Sequence, residues 1–268
     1  MNKAVSLVSV WLAAGTLAAM TVNVESTDPD RTITAGEVST LVSSGEDLVK
    51  TGGGRFIIDR SLKGYKGEIR VEGGYLQALH NEAFGDIDKG TVISSGATLE
   101  FKHDTEYLAF GNEQFTVSGI GVDGCGALRH IGLVKSQWTA VFQKVKLAGD
   151  TRFGGVKTSS GGYHRWDIRG SQGTFDMQGH NLEIVAQFGL AGVNVVNPGN
   201  IVVTGTNSTF CLEGASARMG GSSANTLTMG PGTLFSSQQF GPPLEWSLVL
   251  DGCTCNEQKT TDNFTGDA

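Results

Sequence analysis

The sequence has few charged residues, few prolines and no cluster of basic side chains. Only 18% of its 268 residues are charged, and 20 Lys and Arg stand against 27 Asp and Glu, for a net charge of −7. A nucleic-acid partner requires grouped Lys and Arg that neutralise phosphates, so none is expected here. Five prolines and 39% hydrophobic residues also argue against a disordered chain.

Cysteine is equally scarce. The four cysteines, Cys125, Cys211, Cys253 and Cys255, are too few for a disulfide scaffold. The last two have the spacing of neither a zinc knuckle nor a redox CxxC pair, and no second pair lies nearby. Disulfides formed after export and partly buried thiols both stay open, because pairing cannot be read from spacing. These residues predict no cofactor.

No hydrophobic run is long and apolar enough for a confident membrane span. The N-terminus comes nearest, because Lys3 precedes an apolar run from Ala4 to Ala19 that small and hydroxyl residues interrupt. This order predicts a signal peptide at residues 1–19 and an exported protein, at the cell surface or outside the cell. The alternative is a buried N-terminal strand or helix, and Thr21–Val24 alternates like a strand.

Glycine, by contrast, is abundant, and it interrupts a pair of short strand patterns that recurs along the chain. The 39 glycines are about twice the usual share of about 7%. A supersecondary unit repeated at this spacing is typical of a solenoid, in which each turn buries its apolar face against its neighbours. The recurring pairs span Gly67–Ala78, Gly90–Phe101, His164–Met177, Gly199–Glu213 and Asn225–Phe235.

Alternation within these strands predicts which side chains face the core. Leu99 and Phe101 fall on one face and Glu100 on the other, so the first two should line the core. The same rule predicts that Cys211 points away from the core, opposite its apolar neighbours.

The links within the pairs are rich in Gly, Asn and Ser, which suit the tight corners of a coil. The sequence therefore predicts an all-β fold, a right-handed parallel β-helix (β-solenoid), in a single domain over residues 20–252. Residues 253–268 are expected to form a polar tail or a truncated repeat. The alternative fold is an antiparallel meander or β-sandwich with hairpins at the same turns.

Four segments carry a family resemblance: Asp47–Ile58, Gly64–Leu76, Ala83–Gly85 and Gly90–Val92. Their KTGGG, GYKGEIRVEGGYL, AFG and GTV patterns resemble the autotransporter-associated β-strand repeat, and the match covers about Leu48–Phe101. The resemblance implies a right-handed parallel β-helix of a secreted, surface-displayed passenger region. It implies no catalytic residues, because that family is defined by its structural repeat.

Parallel β-helices also host enzymes that act on polysaccharides, and glycosidases need two carboxyl groups at a set separation. The charged residues grouped most closely in sequence are Asp167 and Asp176 with His164, Arg165, Arg169 and His180. Alternation directs Arg165, Asp167 and Arg169 outward. A charge-alternating exterior with cross-strand ion pairs is the favoured interpretation, so no catalytic residue is assigned.

Two further patterns have some features of chemical sites. Asp123–Gly126, with Arg129 and His130, could place a thiol beside a base, but a glycine-rich loop is favoured. The GxGxxG spacing of Gly119, Gly121 and Gly124 lacks a βαβ unit and is attributed to chance.

Ligand surfaces and calcium sites have weaker signals. The residues considered for glycan stacking are His103, Glu106, Tyr107, Trp138 and Phe142. The acidic loop residues Asp28, Asp30, Asp86 and Asp88 lack a full calcium-ligand spacing, so they are interpreted as solvated charges.

The sequence as a whole favours an exported structural or adhesive passenger-like protein without catalysis. The alternatives are a β-helical carbohydrate-active enzyme and a carbohydrate-binding module. Cell-surface glycans are the expected partners, together with weak self-association, because no amphipathic capping helix is evident at the C-terminal turn.

Overall fold

The computed structural model describes residues 19–86, 89–102, 108–132, 140–213, 218–238 and 246–258. Within these residues the chain is all-β, with a single α-helix, α1 (Ala35–Ser44). The strands stack as a parallel β-helix of about nine turns, which confirms the predicted parallel β-solenoid.

The turns share three strand-bearing faces. The first face holds β1 (Ala19–Asn23), β3 (Asp47–Thr51), β5 (Ile69–Val71), β7 (Thr91–Ile93), β9 (Gln114–Gly119), the start of β12 (Lys144–Gly155), β14 (Thr174–Asp176), β17 (Asn194–Val196) and β20 (Arg218–Met219). The second face holds β2 (Arg31–Thr32), β4 (Arg55–Ile58), β6 (Gly74–Ala78), β8 (Ala97–Phe101), β10 (Leu128–His130), the end of β12, β15 (Leu182–Val185), β18 (Ile201–Val203), β21 (Thr226–Met229) and β23 (Ser247–Leu250).

The third face is a separate six-stranded sheet that starts only halfway along the solenoid. It holds β11 (Ala140–Phe142), β13 (Arg165–Arg169), β16 (Gln187–Ala191), β19 (Thr209–Glu213), β22 (Leu234–Gln238) and β24 (Thr254–Gln258).

Every strand pair in the described residues is parallel. The antiparallel contact seen there is an isolated bridge between Lys157 and Tyr163. The meander and sandwich alternatives are therefore wrong, because both require antiparallel neighbours.

The recurring strand pairs occupy different corners of the coil. β5 and β6 turn from the first face to the second, whereas β18 and β19 turn from the second to the third. β13 and β14 turn from the third face back to the first. All three corners need a residue that tolerates positive φ before the next strand, so similar sequences recur at structurally different places.

In the early turns the third side is built without strands. α1 closes this side in the first turn, with Thr34 as N-cap in a capping box with Glu37 and with Gly45 in the left-handed conformation at its end. The two following turns close it with loops whose Tyr65 and Phe84 are buried. These residues belong to the segment that resembles the autotransporter repeat.

Aromatic rings fill the centre of the coil in the later turns. Phe142 packs edge-on against Phe115 with centroids 4.8 Å apart, and Trp166 packs against Phe188 at 4.7 Å. The predicted core residues Leu99 and Phe101 are fully buried, as expected from alternation. Buried aromatic surface of this kind is a large part of the hydrophobic stabilisation of a fold.

Lys50 stabilises the corner between the first and second faces. Its side chain is fully buried, and Nζ donates to the carbonyl oxygens of Thr51 (2.7 Å), Gly52 (2.8 Å) and Gly73 (3.0 Å). Gly74 must be glycine here, because its φ is +63° and a Cβ atom would collide with the Gly52 carbonyl oxygen. Burial lowers the pKa of Lys50 to about 8. The KTGGG pattern thus supplies a buried ammonium that binds the corner carbonyls.

Both predicted terminal segments lie partly outside the described residues. Residues 1–18 of the predicted signal peptide are outside, and the chain is described from β1, which pairs with β3. Of the segment 253–268, residues 254–258 form β24, which pairs with β22. The described part of the chain contains no helix with the length and hydrophobicity that crossing a bilayer requires.

Candidate functional site on the second face

The outward side of the second face carries a carboxylate at a position that alternation would expose. Glu100 points away from the core, opposite Leu99 and Phe101, yet it is only 1% exposed. Its carboxylate accepts hydrogen bonds from Arg55 Nε (2.8 Å), Gln77 Nε2 (3.1 Å) and Arg129 Nη1 (3.0 Å). Three polar side chains from three different turns therefore cover one carboxylate.

Arg55 extends this group of contacts toward the first turn. Its guanidinium lies 4.9 Å from the centroid of the Tyr75 ring and 3.2 Å from the carboxylate of Asp30. A cation over an aromatic face is a favourable arrangement that also fixes both side chains. Partial burial raises the pKa of the Tyr75 phenol.

Similar contacts continue on the same face in later turns. Arg152 Nη1 donates to the carbonyl oxygen of Gly124 (2.7 Å), and its Nε donates to Glu183 (2.9 Å). Glu183 also accepts from Thr204 Oγ1 at 2.8 Å. We call these outward side chains the second-face ladder: Asp30, Arg55, Tyr75, Gln77, Glu100, Arg129, Arg152 and Glu183.

The ladder is long because all of its members except Asp30 lie on successive strands. From β4 to β15 it crosses six neighbouring strands. At the usual strand spacing of about 4.8 Å, this corresponds to a polar surface of about 24 Å. The ladder therefore follows the solenoid axis and presents fixed charges and one aromatic ring along one face.

The third face holds a second, more deeply buried group of charges. Asp167 is 0% exposed and accepts from Arg165 Nε at 2.7 Å and from Arg169 Nη2 at 2.8 Å. Glu213 accepts from the same two arginines, with 2.9 Å to Arg169. We call Arg165, Asp167, Arg169 and Glu213 the third-face quartet. Two positive and two negative groups leave it with no net charge.

The quartet depends on a glycine beneath it. A Cβ atom at Gly189, the register partner of Asp167, would collide with the Asp167 carboxylate. Burial raises the pKa of Asp167 against the opposing effect of both arginines. For Glu213 burial also acts upward, but the arginine hydrogen bonds prevail and its pKa lies below the usual value.

The residues considered for carbohydrate cleavage are only partly brought together. Asp176 ends β14 on the first face, where it accepts from Asn197 Nδ2 at 3.0 Å, so it does not share a site with Asp167. His180 Nδ1 lies 3.9 Å from the carboxylate of Asp150 instead. Arg165, Asp167 and Arg169 do meet, as the ion-pair interpretation predicted, but Asp167 is fully buried and the two arginines are only partly exposed.

Cys125 and His130, the candidate thiol and base, also point in different directions. Cys125 Sγ lies 3.4 Å from Thr98 Oγ1 on the outward side. His130 faces the core, where it stacks on Phe101 at 5.4 Å, and its Nδ1 lies 3.3 Å from the His164 carbonyl oxygen. Burial lowers the pKa of His130 to about 4. The imidazole is therefore neutral and is not positioned to activate the thiol.

The remaining candidates take structural roles or lie outside the described residues. Gly119, Gly121 and Gly124 all have positive φ in the corner that leads from β9 to β10, without a βαβ unit. Phe142 is a core residue. His103, Glu106, Tyr107, Trp138 and Asp88 lie outside the described residues.

The acidic loop residues have local partners. Asp28 accepts from the backbone N–H of Glu25 (3.0 Å), and Asp86 from that of Gly64 (3.1 Å). Across the described ranges, no three His, Cys, Asp or Glu side chains lie close enough to hold a metal ion.

No protein-family model matches this sequence, and neither a curated protein nor a solved structure gives a match. The architecture and the second-face ladder are therefore the basis for any functional conclusion.

Proposed function

We propose that this protein is an exported binding rod without catalysis, whose second face contacts glycans. The observation that carries this proposal is the second-face ladder, in which charged groups and one aromatic ring lie on consecutive strands of a rigid coil. Glycans present hydroxyl groups along an extended chain and apolar C–H faces on their rings. Polar groups already fixed by ion pairs lose little conformational entropy on binding.

The burial and the hydrogen-bond partners of the candidate carboxylates favour binding over cleavage. A glycosidase of the usual kind needs two carboxyl groups about 5 to 10 Å apart across the scissile bond. Asp167 and Asp176 lie on different faces with separate hydrogen-bond partners. Asp167 is fully buried, and both of its carboxylate oxygens accept hydrogen bonds from arginines. It is therefore not accessible to a glycan, and this supports the structural or adhesive role over the β-helical carbohydrate-active enzyme.

The decisive experiment is a glycan array with the chain from residue 20 to 268, followed by an assay for reducing ends on each glycan that binds. Binding without release supports the proposal. Release would favour the enzyme instead, and absence of binding to every glycan would reject the proposed ligand class.

A matched pair of variants locates the binding surface. Tyr75→Ala removes the aromatic ring of the ladder and should weaken binding about tenfold, as expected for loss of a buried aromatic contact. Gln187→Ala changes a half-buried polar residue on the third face and should leave binding unchanged. Equal losses in both variants would contradict the assignment to the second face.

Export is supported by the basic and apolar start of the sequence. N-terminal sequencing of protein recovered from the medium or the cell surface tests it. The proposal predicts cleavage near Ala18 or Ala19, so that the mature chain begins at Ala19 or Met20, at the start of β1. Protein retained inside the cell with an intact N-terminus would contradict export.

A further inference from the structure

The last turn of the solenoid leaves core-facing side chains uncovered. Leu250 is the register partner of Met229, and Cys255 is that of Phe235. Met229 is 0% exposed and Phe235 is 3% exposed, because another turn covers them. Leu250 is 51% exposed, and Cys255 is exposed as well. Among the described residues, no further turn covers the apolar core at this end.

The first turn ends differently. Arg31 is the register partner of core-facing Phe56, and its guanidinium lies 5.7 Å from the centroid of the Phe56 ring. Arg31 also forms an ion pair with Glu37 of α1. Val22 and Ile33 of this turn are buried. Among the described residues, a charged pair thus lies over the core at the N-terminal end.

The strands of the last turn are also open edges. Within the described residues, β23 pairs only with β21, and β24 pairs only with β22. β23 reads Ser-Leu-Val-Leu and contains neither charge nor proline, the two features that usually protect an edge from pairing. Val249 on its outward side is 45% exposed. The end therefore offers unpaired backbone groups beside apolar side chains.

We propose that the C-terminal end of a second copy of this chain docks here, so that two rods meet tail to tail. A head-to-tail contact would press Leu250 and Cys255 against the Arg31–Glu37 pair and would bury those charges in an apolar contact. Tail-to-tail contact sets apolar against apolar under a two-fold axis. The edge strands then run antiparallel across the axis, and the assembly closes as a dimer.

Sedimentation velocity of the full chain over a range of concentrations tests the proposal. The expected result is a monomer–dimer equilibrium with a dissociation constant on the order of 10 to 100 µM, because the end surface is small. Leu250→Glu should raise this constant by about tenfold or more, since charge is placed within the apolar contact.

Ile120→Glu is the matched control. Ile120 is an apolar residue of similar exposure, 52%, in the corner that leads from β9 to β10, far along the chain from the last turn. The proposal requires its dissociation constant to equal that of the wild type. Circular dichroism of both variants checks that the fold is retained.

Thiol labelling gives a second measurement that needs no variant. Maleimide modification of Cys255, followed by peptide mass mapping, should slow as the protein concentration rises through the dissociation constant. A chain that stays monomeric at every concentration would overturn the proposal. This is the result expected if the end were covered by residues 259–268 of the same chain. A series of oligomers larger than the dimer would also overturn the proposal, because tail-to-tail contact stops at two copies.

Discussion

At the scale of single residues, Glu113 has a buried carboxyl group that is largely removed from solvent. It is buried, Thr91 Oγ1 donates to its Oε1 at 2.8 Å, and its Oε2 has no hydrogen-bond partner in the described structure. Burial raises its pKa to about 7, from 4.5. The folded protein binds this proton more tightly than the unfolded chain does. Its contribution to stability is complete below about pH 4.5 and is lost as the pH rises through 7.

His130 has the opposite effect over nearly the same range. Its pKa falls from 6.5 to about 4 because it is buried, so the unfolded chain binds the proton more tightly. Its contribution is present above about pH 6.5 and is lost as the pH falls through 4. Between about pH 4.5 and 6.5, a rise in pH lowers the unfolding free energy through Glu113 and raises it through His130. The two pH dependences therefore nearly cancel.

A substitution at Glu113 should therefore reveal the histidine. We expect the unfolding free energy of Glu113→Gln to fall by about 2 kcal/mol more than that of the wild type between pH 6.5 and 4.5. Urea denaturation at several pH values measures this difference. Parallel pH profiles for the two proteins would mean that Glu113 is not protonated as described.

We expect the Cys211 thiol to be unreactive because it is buried. It lies on the outward side of β19, as predicted from alternation, and it is buried beside the third-face quartet. Burial raises its pKa to about 12, so it carries almost no thiolate at pH 8. Iodoacetamide at pH 8 should modify exposed Cys255 and spare Cys211 until urea unfolds the chain. Rapid native labelling of Cys211 would show that the third face opens.

At the scale of elements, the third-face quartet links turns that are distant in sequence. Arg165 and Arg169 on β13 reach Glu213 on β19, across the intervening strand β16. Removal of one charge leaves a buried partner without its counter-ion, which is more costly than loss of an exposed pair.

We expect Glu213→Gln to lower the unfolding free energy by about 3 kcal/mol. The control is Arg60→Gln, which removes an exposed ion pair with Asp59 and should be close to the wild type. Chemical denaturation of both variants measures the difference. A small effect at Glu213 would mean that solvent reaches the quartet.

The direction in which strand side chains point could be predicted from the sequence, but the position of each strand pair in the coil could not. Alternation identified the core residues Leu99 and Phe101 and the outward direction of Asp167, because these depend on neighbours in one strand. The same local patterns could not tell which corner each strand pair occupies, since all corners make the same demand on the backbone.

The candidate site was missed for a related reason. Glu100 was assigned only an outward direction, yet it is buried by Arg55, which lies 45 residues away in sequence. Contacts of this kind depend on the register between turns, and the length of every intervening loop sets that register. The KTGGG pattern was the one available signal for Lys50, although nothing in it shows that the ammonium binds corner carbonyls.

At the scale of the whole molecule, the stacking of turns predicts an elongated particle. About nine turns at a spacing of about 4.8 Å give a coil about 43 Å long. Small-angle scattering at low concentration should yield an elongated monomer, and a concentrated sample should approach twice that length if two rods meet tail to tail. A compact, nearly spherical particle at low concentration would contradict the solenoid.

The parallel stacking has a mechanical consequence. β1 lies in the first turn and β24 in the last, so a pull on the two ends of the described chain acts along the solenoid axis. In the described residues the strand backbone of each turn is hydrogen-bonded only to the adjacent turns, and force therefore separates the turns in succession rather than all at once. A tether built in this way lengthens stepwise under load and keeps its remaining turns folded.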